Sequence, residues 1–356
     1  MRLFKLPFLF LLLSIFLYCA SESSSTRQSS GEAPAFLYYQ HALYSLEHGN
    51  PNRALAQMDT AISLRKEFAQ FHYVRGQILE ILGRKSEAIK AYENSLNYKS
   101  HFPEAWRNLA ELYLQSAQYE KAVQVLKDLT EDLPDSLRFE LLLAKAYLGN
   151  DQPFLALDHV RYYEKQGGTS SETFLIRGLA YFRQEDYVKA TTQLENFVQK
   201  EPQNFEAQKY LGIACIQSGA LEKGISHLND ALKIYPDDPI IYLYRAKYFI
   251  QRQKYATAAD QLNAALNLDS NNSEILLEIA KFALMKEDTA RAQKALLRAI
   301  DVDDECWECY KLLGIIADDQ GHHFEAMNYL QKYLSNIYTR DPEAEQRLNK
   351  LRQINQ

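Results

Sequence analysis

A 34-residue interval organises this chain from Ala35 onward. At that step the eighth residue of each block is Ala42, Gly76, Ala110, Ala144, Gly178, Gly212, Ala246, Ala280 and Gly314. The twentieth is Ala54, Ala88, Ala122, Ala156, Ala190, Gly224, Ala258, Ala292 and Ala326. Both places hold a small side chain in all nine blocks, and no insertion is needed to keep phase. Strict self-similarity at such a period marks a repeat array in which each unit buries its face against the next. Small residues at two fixed places imply two elements that approach closely where they cross.

Those elements read as helices. With 13 Gly and 10 Pro in 356 residues, long stretches run without a breaker. In the block from 103, Trp106, Ala110 and Tyr113 share one helical face, and Tyr119, Ala122 and Leu126 share another. Leu109 and Leu129 add to the apolar set, and Pro134 closes the second helix, as Pro202 and Pro236 do at the same phase later. This pattern of period, small positions and aromatic positions resembles the tetratricopeptide repeat family over residues 35–340. Departures are local. His41, Arg75, Arg177 and Arg245 stand where Leu is usual, and Lys66, Gly168 and Asp304 where the closing Pro is common. The resemblance implies an all-α, right-handed α-solenoid superhelix of nine helix-turn-helix repeats: 35–68, 69–102, 103–136, 137–170, 171–204, 205–238, 239–272, 273–306 and 307–340. A capping helix is expected in 341–356, with Asp341 as N-cap and Pro342 at its first position. No domain boundary is expected inside 35–356.

The first residues obey a different rule. Arg2 and Lys5 precede an apolar run from Leu6 to Tyr18, too short to span a bilayer but suited to a signal peptide over 1–18. Cys19 follows directly. The segment resembles a bacterial lipoprotein signal, in which that Cys is lipidated and becomes the mature N-terminus. Tyr18 departs from the small residue usual there. An uncleaved anchor and cleavage after Ala20 are the other readings. Residues 19–34, rich in Ser, then form a disordered tether. The expected place is the cell envelope, on the periplasmic face of the outer membrane, with the lipid as the membrane contact.

Enzyme motifs are missing: there is no HExxH, no phosphate loop ending in GK[ST], and no GxSxG. No cofactor, metal or small-molecule substrate is expected. A net charge of −6 argues against a nucleic-acid surface. One pair stands out, Cys306-Trp307-Glu308-Cys309, at the turn into the ninth repeat. It is open to three readings: an incidental pair or small local disulfide in an exported protein, redox sensing or covalent capture, and a metal shared with a partner. His322 and His323 lie beyond the far end of the intervening helix, roughly 20 Å away, too far to share a metal with it. Cys215 falls at a core phase and reads as a buried thiol.

In tetratricopeptide proteins the first helix of each repeat lines the concave side, and block positions 2, 5, 9, 12 and 13 point into a groove. Carried over by phase, position 5 contributes Arg107, Leu175, Lys209 and Leu243. Position 9 contributes Lys145, Leu179, Ile213, Lys247 and Lys281, and position 12 Leu114, Leu148, Phe182, Ile216, Ile250 and Leu284. This set predicts an apolar stripe flanked by cations, with few carboxylates, chiefly Glu172, Glu206 and Glu274 at its edge. Its ligand would be an extended protein segment with apolar side chains and some negative charge. The clamp by which some family members hold a C-terminal carboxylate is not reproduced: starting from Arg107, Glu111 and Leu142 replace its two Asn. The expected function is a membrane-anchored interaction scaffold or adaptor. The alternative is a structural or assembly component of an outer-membrane, pilus or secretion machine. A thiol redox role for Cys306 and Cys309 is the third reading.

Overall fold

The computed structural model describes residues 32–132 and 137–354. Among them are nineteen helices and no strand. In chain order they are α1 (Glu32–Glu47), α2 (Pro51–Leu64), α3 (Ala69–Ile81), α4 (Lys85–Tyr98), α5 (Pro103–Gln115), α6 (Tyr119–Asp132) and α7 (Leu137–Gly149). They continue with α8 (Pro153–Lys165), α9 (Glu172–Arg183), α10 (Tyr187–Val198), α11 (Phe205–Gln217), α12 (Leu221–Ile234) and α13 (Pro239–Gln251). The last six are α14 (Tyr255–Leu268), α15 (Ser273–Met285), α16 (Thr289–Val302), α17 (Trp307–Asp319), α18 (His323–Asn336) and α19 (Pro342–Ile354). The odd-numbered helices α1 to α17 are the first helices of the nine blocks, and the even-numbered helices α2 to α18 are the second. The fold is the all-α solenoid of helix-turn-helix repeats. α1 starts at Glu32, so the expected tether loses its last three residues to helix. Cys19 and the rest of residues 1–31 lie outside the described residues, as does Pro134.

The chain divides into two compact units, residues 1–152 and 153–356. The division falls within the fourth repeat: in the first unit α7 packs on α5 and α6, and in the second α8 packs on α9.

The small positions explain how each pair closes. All nine residues at the eighth place and all nine at the twentieth are buried. A Cβ on Gly178 would stand 2.6 Å from Cγ of Leu194 in the partner helix, and one on Gly314 would stand 2.7 Å from Cγ of Leu330. The α11–α12 crossing brings two glycines together. There a Cβ on Gly224 would stand 2.7 Å from the carbonyl oxygen of Gly212. Large side chains fill the space around the crossings. In the second unit Leu243, Leu262, Ile275, Leu276, Ile279, Leu296 and Leu313 form one buried cluster that runs from the seventh repeat into the ninth.

A second phase is fixed by the backbone rather than by side-chain size. The fifteenth residue of every block has positive φ: Gly49, Gly83, Ala117, Asp151, Glu185, Gly219, Gln253, Glu287 and Gly321. In each repeat the next residue donates its N–H back across this turn, as Arg84 does to Leu79 at 2.9 Å and Asp288 to Ala283 at 2.9 Å. This is the left-handed stop that ends the first helix and starts the second. For a residue with a Cβ that conformation costs roughly 1–2 kcal/mol, partly offset by the larger entropy glycine loses on folding. Gln253→Gly and Glu287→Gly, both at exposed turns, are therefore expected to raise the thermal midpoint, with a gain of about 0.5–1 kcal/mol each. A lowered midpoint in calorimetry would show that these side chains make contacts that outweigh the strain.

α19 closes the second unit. Asp341 is its N-cap, accepting from the Ala344 N–H at 3.1 Å. Ala344, Leu348 and Leu351 are buried in a cluster with Leu330 and Tyr333 of α18. The opposite side of α19, with Glu343 and Lys350, is exposed, as a solvating cap requires.

Candidate protein-binding face

First helices of successive repeats pack side by side within each unit, α5 on α7 in the first and α9 on α11, α11 on α13 and α13 on α15 in the second. The residues predicted to bind a partner all lie on these helices. The structure sorts them into three groups.

The first group belongs to the core. Ile213 and Ile216 are 2% and 3% exposed, and Leu243 is fully buried. Leu148 is also buried. These four are corrected from groove lining to structural residues. Close approach is the reason. Ile213 and Ile216 are covered by Ile241, Tyr244 and Tyr248 of the next first helix, with Leu228 below them. The α11–α12 crossing is also so tight that a Cβ on Gly224 would touch Cγ1 of Ile216 at 2.6 Å. Leu243 is held in the cluster that Ile275 and Leu276 of the following repeat share.

The second group keeps an open side. Leu175, Leu179, Phe182, Ile250 and Leu284 in the second unit, and Leu114 in the first, are partly exposed. Phe182 packs edge-on against Tyr187 and Tyr210, at ring separations of 5.5 and 4.9 Å. Met285, next to Leu284, is 44% exposed.

The third group is the cations, and here the expected charge pattern is overturned. Lys209 pairs with Asp238 at 3.0 Å. Lys247 pairs with Glu274 at 3.0 Å and lies 4.0 Å from Glu278. Lys281 lies 3.9 Å from Glu308, and Lys311 pairs with Asp341 at 2.8 Å. Arg347 of α19 returns to Asp318 and Asp319 at 2.9 and 2.8 Å. In each Lys pair the carboxylate lies at or beyond the start of the next first helix or, for Lys311, of the capping helix α19. The expectation of a cationic flank with few carboxylates is corrected, since Lys209, Lys247 and Lys281 each have a carboxylate within 4.0 Å. These charges neutralise one another along an inter-repeat ladder. Lys209 also lies over the rings of Phe205 and Tyr210, and Lys247 over that of Tyr244. In the first unit Arg107 lies 3.9 Å from Glu111 on its own helix, and Lys145 is partly buried on α7.

Sequence reasoning missed a polar patch on α3 and α5. Tyr92 of α4 is fully buried, and its ring occupies the space a Cβ on Gly76 would need, 2.6 Å from the ring carbon Cε1. Its hydroxyl thereby passes through to the first-helix layer. It donates to Glu80, and Asn108 donates to it at 3.0 Å. Burial pushes both the Tyr92 hydroxyl and the Glu80 carboxyl above their ordinary values. The available signal was Tyr92 itself, which holds a phase occupied by Leu194, Leu228, Leu262, Leu296 and Leu330 in later blocks.

A sequence profile of the tetratricopeptide repeat matches residues 81–146, and a second profile of the same repeat matches 39–100 and 177–239. The chain is a tetratricopeptide repeat protein. The tetratricopeptide chain is 26% identical over 170 residues to the DnaJ homolog subfamily C member 7 homolog of Schizosaccharomyces pombe, covering 43% of this chain and 36% of that one. It is 24% identical over 181 residues to TPR repeat-containing protein BH2049 of Halalkalibacterium halodurans, covering 50% of this chain and 79% of that one. It thus spans only about a third of the fission-yeast relative. Among solved structures the tetratricopeptide fold superposes on the APC/C hetero-tetramer Cut9-Hcn1 with a TM-score of 0.53 and 15% identity, covering 96% of this chain and 83% of that one.

The C-terminal rung of the tetratricopeptide ladder carries a pH dependence. The Lys311 ammonium bonded to Asp341, with help from the Ala344 N–H and the Tyr333 hydroxyl, lowers this carboxyl from 3.8 to about 2. A carboxylate held below its unfolded value stabilises the fold above that unfolded value. The contribution is lost as pH falls through the folded one. Wild type and Lys311→Met should therefore differ most above pH 4 and converge as pH falls toward 2. Urea unfolding across that range checks this, and a gap that widens on acidification would contradict it.

Proposed function

We propose that this chain is a scaffold held at a bacterial envelope membrane by a lipid on Cys19, with an extended segment of a partner protein lying on the first-helix face of the second unit. Tetratricopeptide arrays are protein–protein interaction scaffolds, and that coarser role is this chain's own. The observation that carries the finer reading is the recurrence of partly exposed apolar side chains, Leu179, Phe182, Ile250 and Leu284, on one layer of helices. Such a row suits alternate side chains of an extended segment. The anchor reading rests on the Leu6–Tyr18 apolar run followed by Cys19. No helix among the described residues is long and apolar enough to cross a membrane.

Two measurements test the proposal. Cys19→Ser should move the chain from the membrane to the soluble fraction, because a single polar change removes the acyl chains that hold it. Unchanged membrane partition of the purified variant in lipid vesicles would remove the anchor. A photo-crosslinking residue at Leu284 should yield a discrete adduct with a partner, whereas the same residue at Arg291 of α16, on the second-helix layer, should not. Adducts from Arg291 alone would place the partner elsewhere.

A further inference from the structure

Cys306 and Cys309 form a disulfide across the start of α17. The two sulfurs stand in unlike surroundings. Cys306 is the N-cap residue, partly exposed, and makes no side-chain capping bond to the helix. Cys309 is fully buried, in the cluster that contains Leu296, Ala299 and Leu313. Cys306 packs on the edge of that same cluster, so the pair has one residue partly open to solvent and one fully enclosed. We propose that Cys306–Cys309 is a thiol–disulfide exchange site that takes two electrons from an exposed dithiol of another protein, with Cys306 as the point of attack.

The chemistry follows from that asymmetry. A thiolate of the incoming dithiol attacks Sγ of Cys306, the partly open residue. The bond between the two cysteines breaks, and its electron pair goes to Sγ of Cys309. That sulfur takes a proton, because a thiolate is disfavoured in an apolar cluster. A mixed disulfide now joins Cys306 to the partner. The partner's second thiolate attacks its own sulfur in that bond, and Cys306 leaves as a thiolate that is then protonated. The net change is one partner disulfide formed and one intramolecular disulfide reduced, with two electrons and two protons transferred. The positive end of the α17 dipole favours the Cys306 thiolate at the moment it leaves.

The flanking charges select the reductant. Asp303, Asp304 and Glu305 precede the pair and Glu308 lies within it. Asp303 is engaged by the Ser273 hydroxyl at 3.0 Å and by the Glu305 N–H at 3.1 Å, and Glu308 has Lys281 at 3.9 Å. Asp304 and Glu305 are exposed. This acidic rim repels anionic thiols and favours neutral or cationic ones. Cys215, buried with its thiol pushed up by that burial, is the internal control that should not react in the folded chain.

The test uses the full chain in detergent. Cys309→Ser should form a mixed disulfide with cystamine at Cys306 on the order of tenfold faster than Cys306→Ser does at Cys309. Cystamine should outpace glutathione disulfide on Cys309→Ser, by a margin that shrinks as salt is raised. The unsubstituted chain provides a second readout that needs no folded variant. Dithiothreitol should reduce the pair while the circular dichroism and cooperative melting of the array persist. Equal reactivity of the two single variants, or reduction only under unfolding conditions, would overturn the proposal and leave the disulfide a fixed cross-link.

Discussion

Ile216→Ser is expected to destabilise the second unit by about 3 kcal/mol and to lower its thermal midpoint by several degrees. The side chain is 3% exposed and is enclosed by Leu228, Ile241, Tyr244 and Tyr248. Truncation leaves a cavity, and the new hydroxyl has only its own helix carbonyls as partners. Phe182→Ser and Ile250→Ser stand at the same phase in adjacent repeats but are partly open, so they should cost distinctly less. Calorimetry on the three variants separates the two environments. Equal losses would mean that all three positions are core, and the first-helix face would then lose two of its contact residues.

Gly224→Ala sets two large effects against each other. Helix propensity alone favours alanine over glycine by about 1 kcal/mol. The crossing opposes it, because the new Cβ would stand 2.7 Å from the Gly212 carbonyl oxygen, a backbone atom that cannot swing aside. Separating α11 from α12 enough to admit a methyl should cost about 1–3 kcal/mol, so the net expectation is destabilisation. Loss should show first as faster amide exchange in α11 and α12, since repeats couple chiefly to their neighbours. A stabilised variant would mean that the helices separate at little cost, and close approach would no longer explain why the twentieth place is small.

Much of this fold was legible because it repeats. The small residues at Ala42, Gly76 and their seven successors repeat a local requirement nine times, and Pro342 after Asp341 marks the last helix start. The positive-φ turn was harder to read, since only Gly49, Gly83, Gly219 and Gly321 announce it. The other five blocks use residues with a Cβ. The candidate face was less legible for a different reason. Phase states which side of a helix a residue occupies, but not how closely the next helix approaches. Ile216 and Ile250 share a phase, yet one is sealed and the other is not. Charge was misread because each partner lies a repeat away. Lys247 meets Glu274 and Glu278, residues 27 and 31 further along, and a survey of one block at a time does not bring them together.

The ladder also gives the array a grammar of insertion and loss. From Lys209 to Lys311 each lysine of the ladder faces forward to a carboxylate at the opening of the following block or cap, so these four junctions have a positive side and a negative side. Excising the whole block 273–306 would bring Lys247 up to Glu308, which holds the same place in its block as Glu274. Excising half a block would set helices of the wrong kind together and leave the charges unmatched. Along this stretch, length can therefore change by whole blocks while the joints keep their polarity, and recombination at these junctions finds compatible ends when it cuts at the same phase.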